Sequence, residues 1–215
     1  MAHPFALPRF YPILDTGVLA DRHTEVVRAA AILIDAGVKI LQYRHKDPWT
    51  QREFDEAETV ALMCHGAGVL YVINDRADFA KLLGAALHLG QHDLPPIAAR
   101  KVIGDEVIGF STHNRVQLSF ADEEPVEYLS IGPIFATTSK AQPDPVVGLE
   151  KLKELRALTR KPVCAIGGIT LENAGQTLAA GANSVAVISG WLPKAASSET
   201  SIKASIKQWW AVTRI

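Results

Sequence analysis

The sequence has few cysteines, no excess of charge and no long apolar run, and each shortage excludes a class of protein. Its 215 residues include two cysteines, Cys64 and Cys164, which cannot supply a disulfide framework. Because 22 basic residues nearly balance 23 acidic ones, no overall field attracts nucleic acid or an anionic membrane. No apolar stretch reaches the ~18 residues of a membrane span, and the N-terminus lacks an export pattern. We therefore expect a cytoplasmic protein that binds neither nucleic acid nor membranes.

Two common catalytic and cofactor motifs are also missing. The segment after the first apolar run, "TGVLADRHTE", lacks the Gly-x-Gly-x-x-Gly fingerprint of a dinucleotide site. No Gly-x-Ser-x-Gly nucleophile motif accompanies His88, His92 or His113. We therefore interpret these histidines as structural hydrogen-bonding groups and assign them no catalytic role.

The sequence does contain eight short apolar runs of the length of a buried strand. Hydrophobic residues make up 48% of the chain and charged residues 21%, as in an ordinary folded protein. The predicted strands are "FYPILD" from 10, "KILQYR" from 39, "VLYVIN" from 69, "ALHLG" from 86, "VIGFST" from 107, "YLSIGPI" from 128, "PVCAIGG" from 162 and "SVAVISG" from 184.

Helical patterns separate these strands. One begins at a capping box formed by Thr50 and Glu53, and another ends at Gly181. Strands that alternate with helices and are apolar throughout predict a parallel sheet covered on both faces. Eight such units without a linker favour a single-domain (β/α)8 TIM barrel over residues 1–215, with an open doubly wound sheet as the alternative.

Polar residues follow the predicted strands, where a barrel would bring them to one mouth. Gln42, Arg44 and Lys46 occupy alternate positions, so one face of an extended strand ends in donors and positive charge. Other mouth positions are predicted for Asn74, Asp75, His88, Gln91, Asp93, Ser111, His113, Thr137, Ser139, Lys140, Gly167, Gly168, Ile188 and Ser189. This density of polar groups predicts a site for an anionic ligand.

Asp75 and Asp93 follow the third and fourth strands, which would be neighbours about 4.8 Å apart. Each could instead cap a helix, in "RADFAKLL" and "LPPIAAR" respectively. Taken together, two adjacent carboxylates favour a Mg²⁺ site that water and phosphate oxygens complete.

Two parts of this mouth are candidates for phosphate binding. Arg44, Lys46 and Lys140 could be ordinary solvated charges, but their placement favours a diphosphate. "AIGGIT" and "VAVISG" end the last two strands, where barrels often bind phosphate, although Gly-Gly also serves as an ordinary turn.

Several segments together resemble the thiamine-phosphate synthase family. They are, in family order, "LQYRHKD", "VLYVINDRADFA", "ALHLGQHDLP", "IGFSTHN", "SIGPIFATTSK", "AIGGIT" and "VAVIS". The resemblance implies a (β/α)8 barrel enzyme, a transferase of thiamine biosynthesis. Such an enzyme joins hydroxymethylpyrimidine diphosphate to thiazole phosphate, which releases pyrophosphate.

The same resemblance implies roles for individual residues. The pyrimidine diphosphate would be held by Gln42, Arg44, Lys46, Asn74, Ser111 and Lys140. Mg²⁺ would be bound by Asp75 and Asp93. The thiazole phosphate would be held by Thr137, Ser139, Gly168, Ile188 and Ser189. Two residues depart from the family pattern: His45 stands where an acidic or other polar residue is expected, and Ser139 replaces a common Thr.

The implied reaction is dissociative, with a pyrimidine cation left when pyrophosphate departs. Mg²⁺, Arg44, Lys46 and Lys140 would stabilise the leaving group, and no general base is needed. The alternatives are a thiazole tautomerase and a non-catalytic thiazole-phosphate-binding paralogue, neither of which needs the carboxylate pair. The sequence permits a homo-oligomer without indicating one.

Overall fold

The computed structural model describes residues 5–137, 144–193 and 198–213. Each of its eight strands lies within one of the eight predicted runs, and the runs at β6, β7 and β8 extend two or three residues past the end of the strand. They span Phe10–Asp15 (β1), Ile40–Arg44 (β2), Leu70–Asn74 (β3), Ala86–Leu89 (β4), Ile108–Thr112 (β5), Tyr128–Ile131 (β6), Val163–Ile166 (β7) and Ser184–Val187 (β8).

All neighbouring strands pair in parallel, and β8 pairs with β1 to close the barrel. The register places Asp15 beside Arg44 on β1 and β2, and Asn74 beside His88 on β3 and β4. The prediction of a (β/α)8 barrel is confirmed, because an open sheet has two edge strands whereas every strand here pairs on both sides.

Helices follow every strand in the described part of the chain. They span Thr16–Asp21 (α1), Val26–Asp35 (α2), Gln51–Gly66 (α3), Ala77–Leu82 (α4), Pro96–Ile103 (α5), Arg115–Glu123 (α6), Gly148–Arg156 (α7), Leu171–Ala179 (α8) and Glu199–Thr213 (α9). None of these described helices has the length and apolar character needed to cross a membrane.

The helix boundaries follow from local chemistry. Glu53 accepts a hydrogen bond from the Thr50 backbone N–H at 3.1 Å, as the predicted capping box requires at the start of α3. The sixth predicted run extended to residue 134, but β6 ends at Ile131. Pro133 explains the difference, since it has no N–H to donate to a sheet ladder.

The core has two layers because side chains alternate along each strand. One set fills the barrel interior and includes Ile13, Ile40, Val72 and Tyr128. The larger set packs between the strands and the surrounding helices. Both layers are apolar, so the barrel is a packed scaffold whose polar residues are concentrated at its ends.

The tryptophans of the last helix and the two cysteines contribute to packing. Trp209 is fully buried and stacks on Phe10 with ring centroids 5.3 Å apart, and Trp210 donates to the Ala36 carbonyl at 3.0 Å. Cys64 and Cys164 are free and buried, and burial raises the pKa of each thiol to about 12. They behave as small apolar side chains.

Candidate active site at the barrel mouth

A cavity of about 710 Å³ opens at the carboxyl ends of the strands. It is lined by every described residue for which a substrate or metal role was predicted, namely Gln42, Arg44, Lys46, Asn74, Asp75, Asp93, Ser111, Thr137, Gly168, Ile188 and Ser189. Gln91, a further predicted mouth position, does not line it and donates to the Ser111 carbonyl at 2.5 Å. Ser139 and Lys140 lie outside the described residues. The topology therefore brings together side chains that are spread over 148 residues of sequence (189 − 42 + 1).

Asp75 and Asp93 meet at one side of this mouth. Burial, together with a hydrogen bond to the Asp75 carboxyl group, raises the pKa of Asp93. A raised pKa means that two negative charges at this place are unfavourable without a cation. Lys46 reduces the repulsion between the two carboxylates in part, because its ammonium group lies 2.5 Å from Asp75 Oδ2.

Neither carboxylate caps the helix that follows it. The N-cap residues of α4 and α5 are Arg76 and Pro95. Asp93 Oδ2 instead accepts the Gly90 backbone N–H at 2.6 Å, which holds the turn after β4. The helix-cap alternative is therefore wrong for both residues.

Asp75 also has a rare backbone conformation, with φ at +66°. A residue with a Cβ atom pays about 1–2 kcal/mol in this left-handed region, although Asp is among the most tolerant. The Asp75 N–H donates to the His88 carbonyl at 2.8 Å, so the neighbouring strand holds this conformation in place. Such strain is typical of functional positions.

The row on β2 reaches from the barrel interior to its rim. Gln42 is 2% exposed and donates through Nε2 to the Tyr11 hydroxyl at 2.8 Å. Arg44 forms an ion pair with Asp15, and the Lys46 side chain is 52% exposed. Sequence reasoning missed Asp15, which also caps α1 by accepting the Val18 N–H at 3.0 Å.

A hydrogen-bonded network forms the floor of the cavity. His88 contacts the Tyr128 hydroxyl through Nδ1 at 3.0 Å and the Ser111 hydroxyl through Nε2 at 2.9 Å. Tyr128 continues to Tyr11 at 3.1 Å. Burial raises the pKa of both tyrosines, so their hydroxyls remain protonated. The interpretation of His88 as a hydrogen-bonded structural group agrees with these contacts.

The glycine pair after β7 is required by packing. Gly167 and Gly168 have φ values of +94° and +66°. A Cβ atom on Gly167 would lie 2.5 Å from Pro133, and one on Gly168 would lie 2.6 Å from the Ala136 carbonyl oxygen. The close approach brings the segment after β6 against the turn that leads into α8.

Sequence reasoning also missed Arg22, at the C-terminal end of α1. Its guanidinium donates through Nη1 to the Ser189 carbonyl at 2.8 Å and to the Leu192 carbonyl. Nothing in the local sequence signals this contact, because its partners are 167 and 170 residues away.

His45 is a departure from the family pattern, and it lies outside the main cavity. Its Nδ1 contacts the Thr16 hydroxyl at 2.8 Å, and its ring lines a separate cavity of about 560 Å³ beside α1 and α3. Alternation along the chain explains this, since Arg44 and Lys46 turn to the mouth and His45 turns away.

Barrel enzymes have their active sites at this end of the strands, often with a phosphate site in the loops after the last two, and the chain falls in this class of enzymes. A sequence model described as thiamine monophosphate synthase matches residues 10–191. The chain therefore belongs to the thiamine monophosphate synthase family, as its motifs predicted.

Similar proteins agree with this membership. The thiamine-phosphate synthase of Koribacter versatilis is 44% identical over 205 residues, covering 93% of this chain and 97% of the relative. That of Chloroflexus aurantiacus is 37% identical and covers 84% and 83%. The solved thiamine phosphate pyrophosphorylase from Pyrococcus furiosus has a TM-score of 0.80 at 26% identity, covering 95% of this chain and 96% of the other.

Proposed function

We propose that the chain is a transferase of thiamine biosynthesis that works at the barrel mouth. It condenses 4-amino-2-methyl-5-hydroxymethylpyrimidine diphosphate with 4-methyl-5-(2-hydroxyethyl)thiazole phosphate to give thiamine phosphate and pyrophosphate. The observation that carries this proposal is the meeting of the carboxylate pair, the cationic row and the glycine turn in one cavity. In a chain of this family, those three features supply a leaving-group site and a second phosphate site.

The diphosphate half of the site uses Gln42, Arg44, Lys46, Asn74 and Ser111. Asn74 supports this assignment, because it is 6% exposed and its amide Nδ2 is buried without a hydrogen-bond partner. A buried donor without a partner costs about 1–3 kcal/mol, and a phosphate oxygen would satisfy it. Arg44 offers a planar fork to a phosphate, and Lys46 offers a compact charge.

Asp75 and Asp93 are suitable ligands for a magnesium ion. Two adjoining carboxylates, one with a raised pKa, are hard oxygen ligands that gain from a divalent cation between them. Among the described residues, no cluster of three or more His, Cys, Asp or Glu side chains could hold a metal ion. Because Asp75 and Asp93 supply only two protein ligands, substrate oxygens and water would complete the coordination of Mg²⁺ at this pair. When bound, it supplies positive charge to the departing diphosphate.

The chain's own residues then have two tasks. Arg44, Lys46 and Lys140 stabilise the negative charge that grows on pyrophosphate as its bond to the pyrimidine methylene breaks. The electron-rich aminopyrimidine carries the resulting cation, and the thiazole nitrogen only has to be held against that carbon. No general base is needed, which agrees with a floor where both ring nitrogens of His88 are hydrogen-bonded.

The thiazole phosphate half uses Thr137, Ser139, Gly168, Ile188 and Ser189. Helix α8 begins at Leu171, three residues after Gly168, so backbone N–H groups and the helix dipole favour an anion there. Asn173 holds the turn by donating to the Gly168 carbonyl at 2.9 Å. The turn is therefore preorganised around the phosphate.

Lys140 and Ser139 complete the two halves from the segment after β6. We expect Lys140→Ala to reduce turnover more than affinity for thiazole phosphate. Paired kinetic and binding measurements test this, and the reverse pattern would move Lys140 to the thiazole half.

We further propose that residues 1–215 form one domain in the cytoplasm, where the two free buried cysteines stay reduced. Its partners are the two small-molecule substrates.

One assay tests the reaction. Purified protein is incubated with both substrates and Mg²⁺, and thiamine phosphate and pyrophosphate are followed together. We expect both products in equal amounts. Isomerisation of the thiazole without either product would indicate a tautomerase, and binding without any reaction would indicate a non-catalytic paralogue.

The Asp93→Ala variant tests the metal site. We expect it to lose Mg²⁺-dependent turnover and to stay folded, because a mouth turn contributes little to the core. Turnover that is unchanged at limiting Mg²⁺ would refute the assignment.

A further inference from the structure

Arg22 connects the first unit of the barrel to the segment after its last strand. It lies just after α1, and its Nη1 donates to the backbone carbonyls of Ser189 and Leu192. Arg22, Ser189 and Leu192 all line the main cavity. The guanidinium therefore sits at the thiazole phosphate side of the mouth, beside Ile188 and Ser189.

Arg22 differs in its pairing from the other described cations of the cavity. Arg44 is paired with Asp15, and Lys46 is paired with Asp75. Of the Lys and Arg side chains that line the cavity within the described ranges, Arg22 alone has no carboxylate partner. Burial lowers the pKa of Arg22, and the charge of the adjacent Asp21 offsets this only in part, so a further anion beside the guanidinium would be favourable. It remains protonated at neutral pH, because an arginine side chain does not lose its proton in proteins.

The adjacent residues proposed to bind the thiazole phosphate supply no positive charge of their own. Gly168, Ile188 and Ser189 offer backbone N–H groups and a hydroxyl, which are neutral donors. A phosphate monoester brings a charge of roughly −1.5 to −2 at pH 7. Arg22 uses only Nη1 on the loop carbonyls, so its Nε and Nη2 hydrogens remain to donate to an anion.

We propose that Arg22 binds the phosphate group of the thiazole substrate and holds the Ser189 loop around it. The proposal rests on the proposed function, since it names a further residue of the same thiazole phosphate site. It explains why one guanidinium contacts two loop carbonyls and yet has no carboxylate partner.

The test compares two ligands that differ only in the phosphate: thiazole phosphate and the corresponding thiazole alcohol. Their affinities are measured by calorimetry for the wild type, Arg22→Gln and Arg22→Lys. We expect Arg22→Gln to weaken thiazole phosphate by roughly 10- to 100-fold, the usual size for losing charge-assisted hydrogen bonds, and to change alcohol affinity less than twofold. Arg22→Lys should restore part of the phosphate affinity.

Arg156→Gln is the matched control. Arg156 also donates to two backbone carbonyls, those of Gly181 at 3.2 Å and Thr159 at 2.7 Å, but it lies at the opposite end of the barrel. We expect it to lower the melting temperature about as much as Arg22→Gln does and to leave thiazole phosphate affinity unchanged. This control shows whether a loss of stability alone lowers the affinity for thiazole phosphate.

Three results would overturn the proposal: equal weakening of phosphate and alcohol, unchanged phosphate affinity in Arg22→Gln, or no binding of thiazole phosphate to the wild type. Should Arg22→Gln fail to fold, Arg22→Lys decides by the same comparison of the two ligands. The product assay separates the claims, because a wild type that binds thiazole phosphate through Arg22 but forms no thiamine phosphate contradicts only the proposed function.

Discussion

The two ends of the barrel differ in how their charged side chains are paired. At the amino ends of the strands, Arg100 donates to the carbonyls of Gly104, Glu106 and Pro125 and to the Glu127 carboxylate, with distances of 2.6–2.8 Å. Glu127 in turn accepts the Ile108 N–H at 2.6 Å. Arg100 and Glu127 therefore balance each other's charge and satisfy several backbone groups, although Glu124 Oε2 at the same end is buried without a partner among the described residues.

The mouth leaves similar groups in unfavourable arrangements. Asp75 and Asp93 adjoin, and among the described residues the Asn74 amide donor has no partner and Arg22 forms no salt bridge. Substrate groups and a cation can relieve each of these costs. Under the proposed function, the difference means that paired charges stabilise the amino end, whereas the mouth keeps less stable arrangements that its ligands would relieve.

The largest effect is expected for Asp93→Asn. It should reduce turnover by at least about 100-fold, since it removes a charged ligand from the metal site. It should also raise the free energy of unfolding of the metal-free protein by about 1 kcal/mol at neutral pH, because it removes the carboxylate repulsion. Kinetics across a Mg²⁺ titration and urea denaturation measure the two effects. A variant that is less active and also less stable would break the contrast between the two ends.

Arg100→Met should show the reverse behaviour. We expect the free energy of unfolding to fall by about 2–3 kcal/mol, because the Glu127 carboxylate loses its charged donor. Turnover per folded molecule should stay unchanged below the melting transition. Lys101→Met on the same helix is the control, as Lys101 is exposed. A loss of kcat in Arg100→Met would show that the amino end also serves catalysis.

Asp15 has both a structural role, as the cap of α1, and a role in the site, as the ion-pair partner of Arg44. The Asp15→Asn variant separates these two roles. Asn keeps an oxygen for the Val18 N–H that starts α1, but it loses the charge that orients Arg44. We expect KM for the pyrimidine diphosphate to rise roughly 10-fold, which is a loss of about 1.4 kcal/mol. KM for thiazole phosphate should not change. Equal increases in both KM values would indicate a general distortion of the mouth.

The smallest effect isolates the backbone strain at Asp75. Asp75→Gly and Asp75→Ala both remove the carboxylate, so they differ mainly in their tolerance of φ at +66°. We expect the glycine variant to have the higher free energy of unfolding by about 1 kcal/mol without Mg²⁺. Melting curves recorded side by side measure the difference. Equal stability would mean that the conformation at residue 75 carries no strain.

Much of the mouth was predictable because strands and their ends are local features. The apolar runs located all eight strands, and alternation along β2 correctly placed Gln42, Arg44 and Lys46 on one side. Closure of the sheet then brought the predicted residues into one cavity. The prediction at the end of β6 was too long, because apolar character continues past Ile131 although pairing does not.

Sequence reasoning missed Asp15 and Arg22 for a different physical reason. Asp15 was the last residue of a predicted strand, and Arg22 lay in a segment to which the sequence analysis assigned no element and no role. Each acquires its role from a residue in another barrel unit, and contacts of that kind leave no periodic pattern in the sequence. The glycine pair was noticed, but its need for close packing against Pro133 and Ala136 was not visible either.

The sequence by itself determined the order of strands and helices, the membership in a family and the identity of most mouth residues. It did so because apolar periodicity and motif spacing are properties of neighbouring residues. Only the tertiary structure decided which charges are paired, which donors are left for a ligand and which backbone is strained. Those properties depend on barrel closure, which places residues as distant as Arg22 and Ser189 within 2.8 Å.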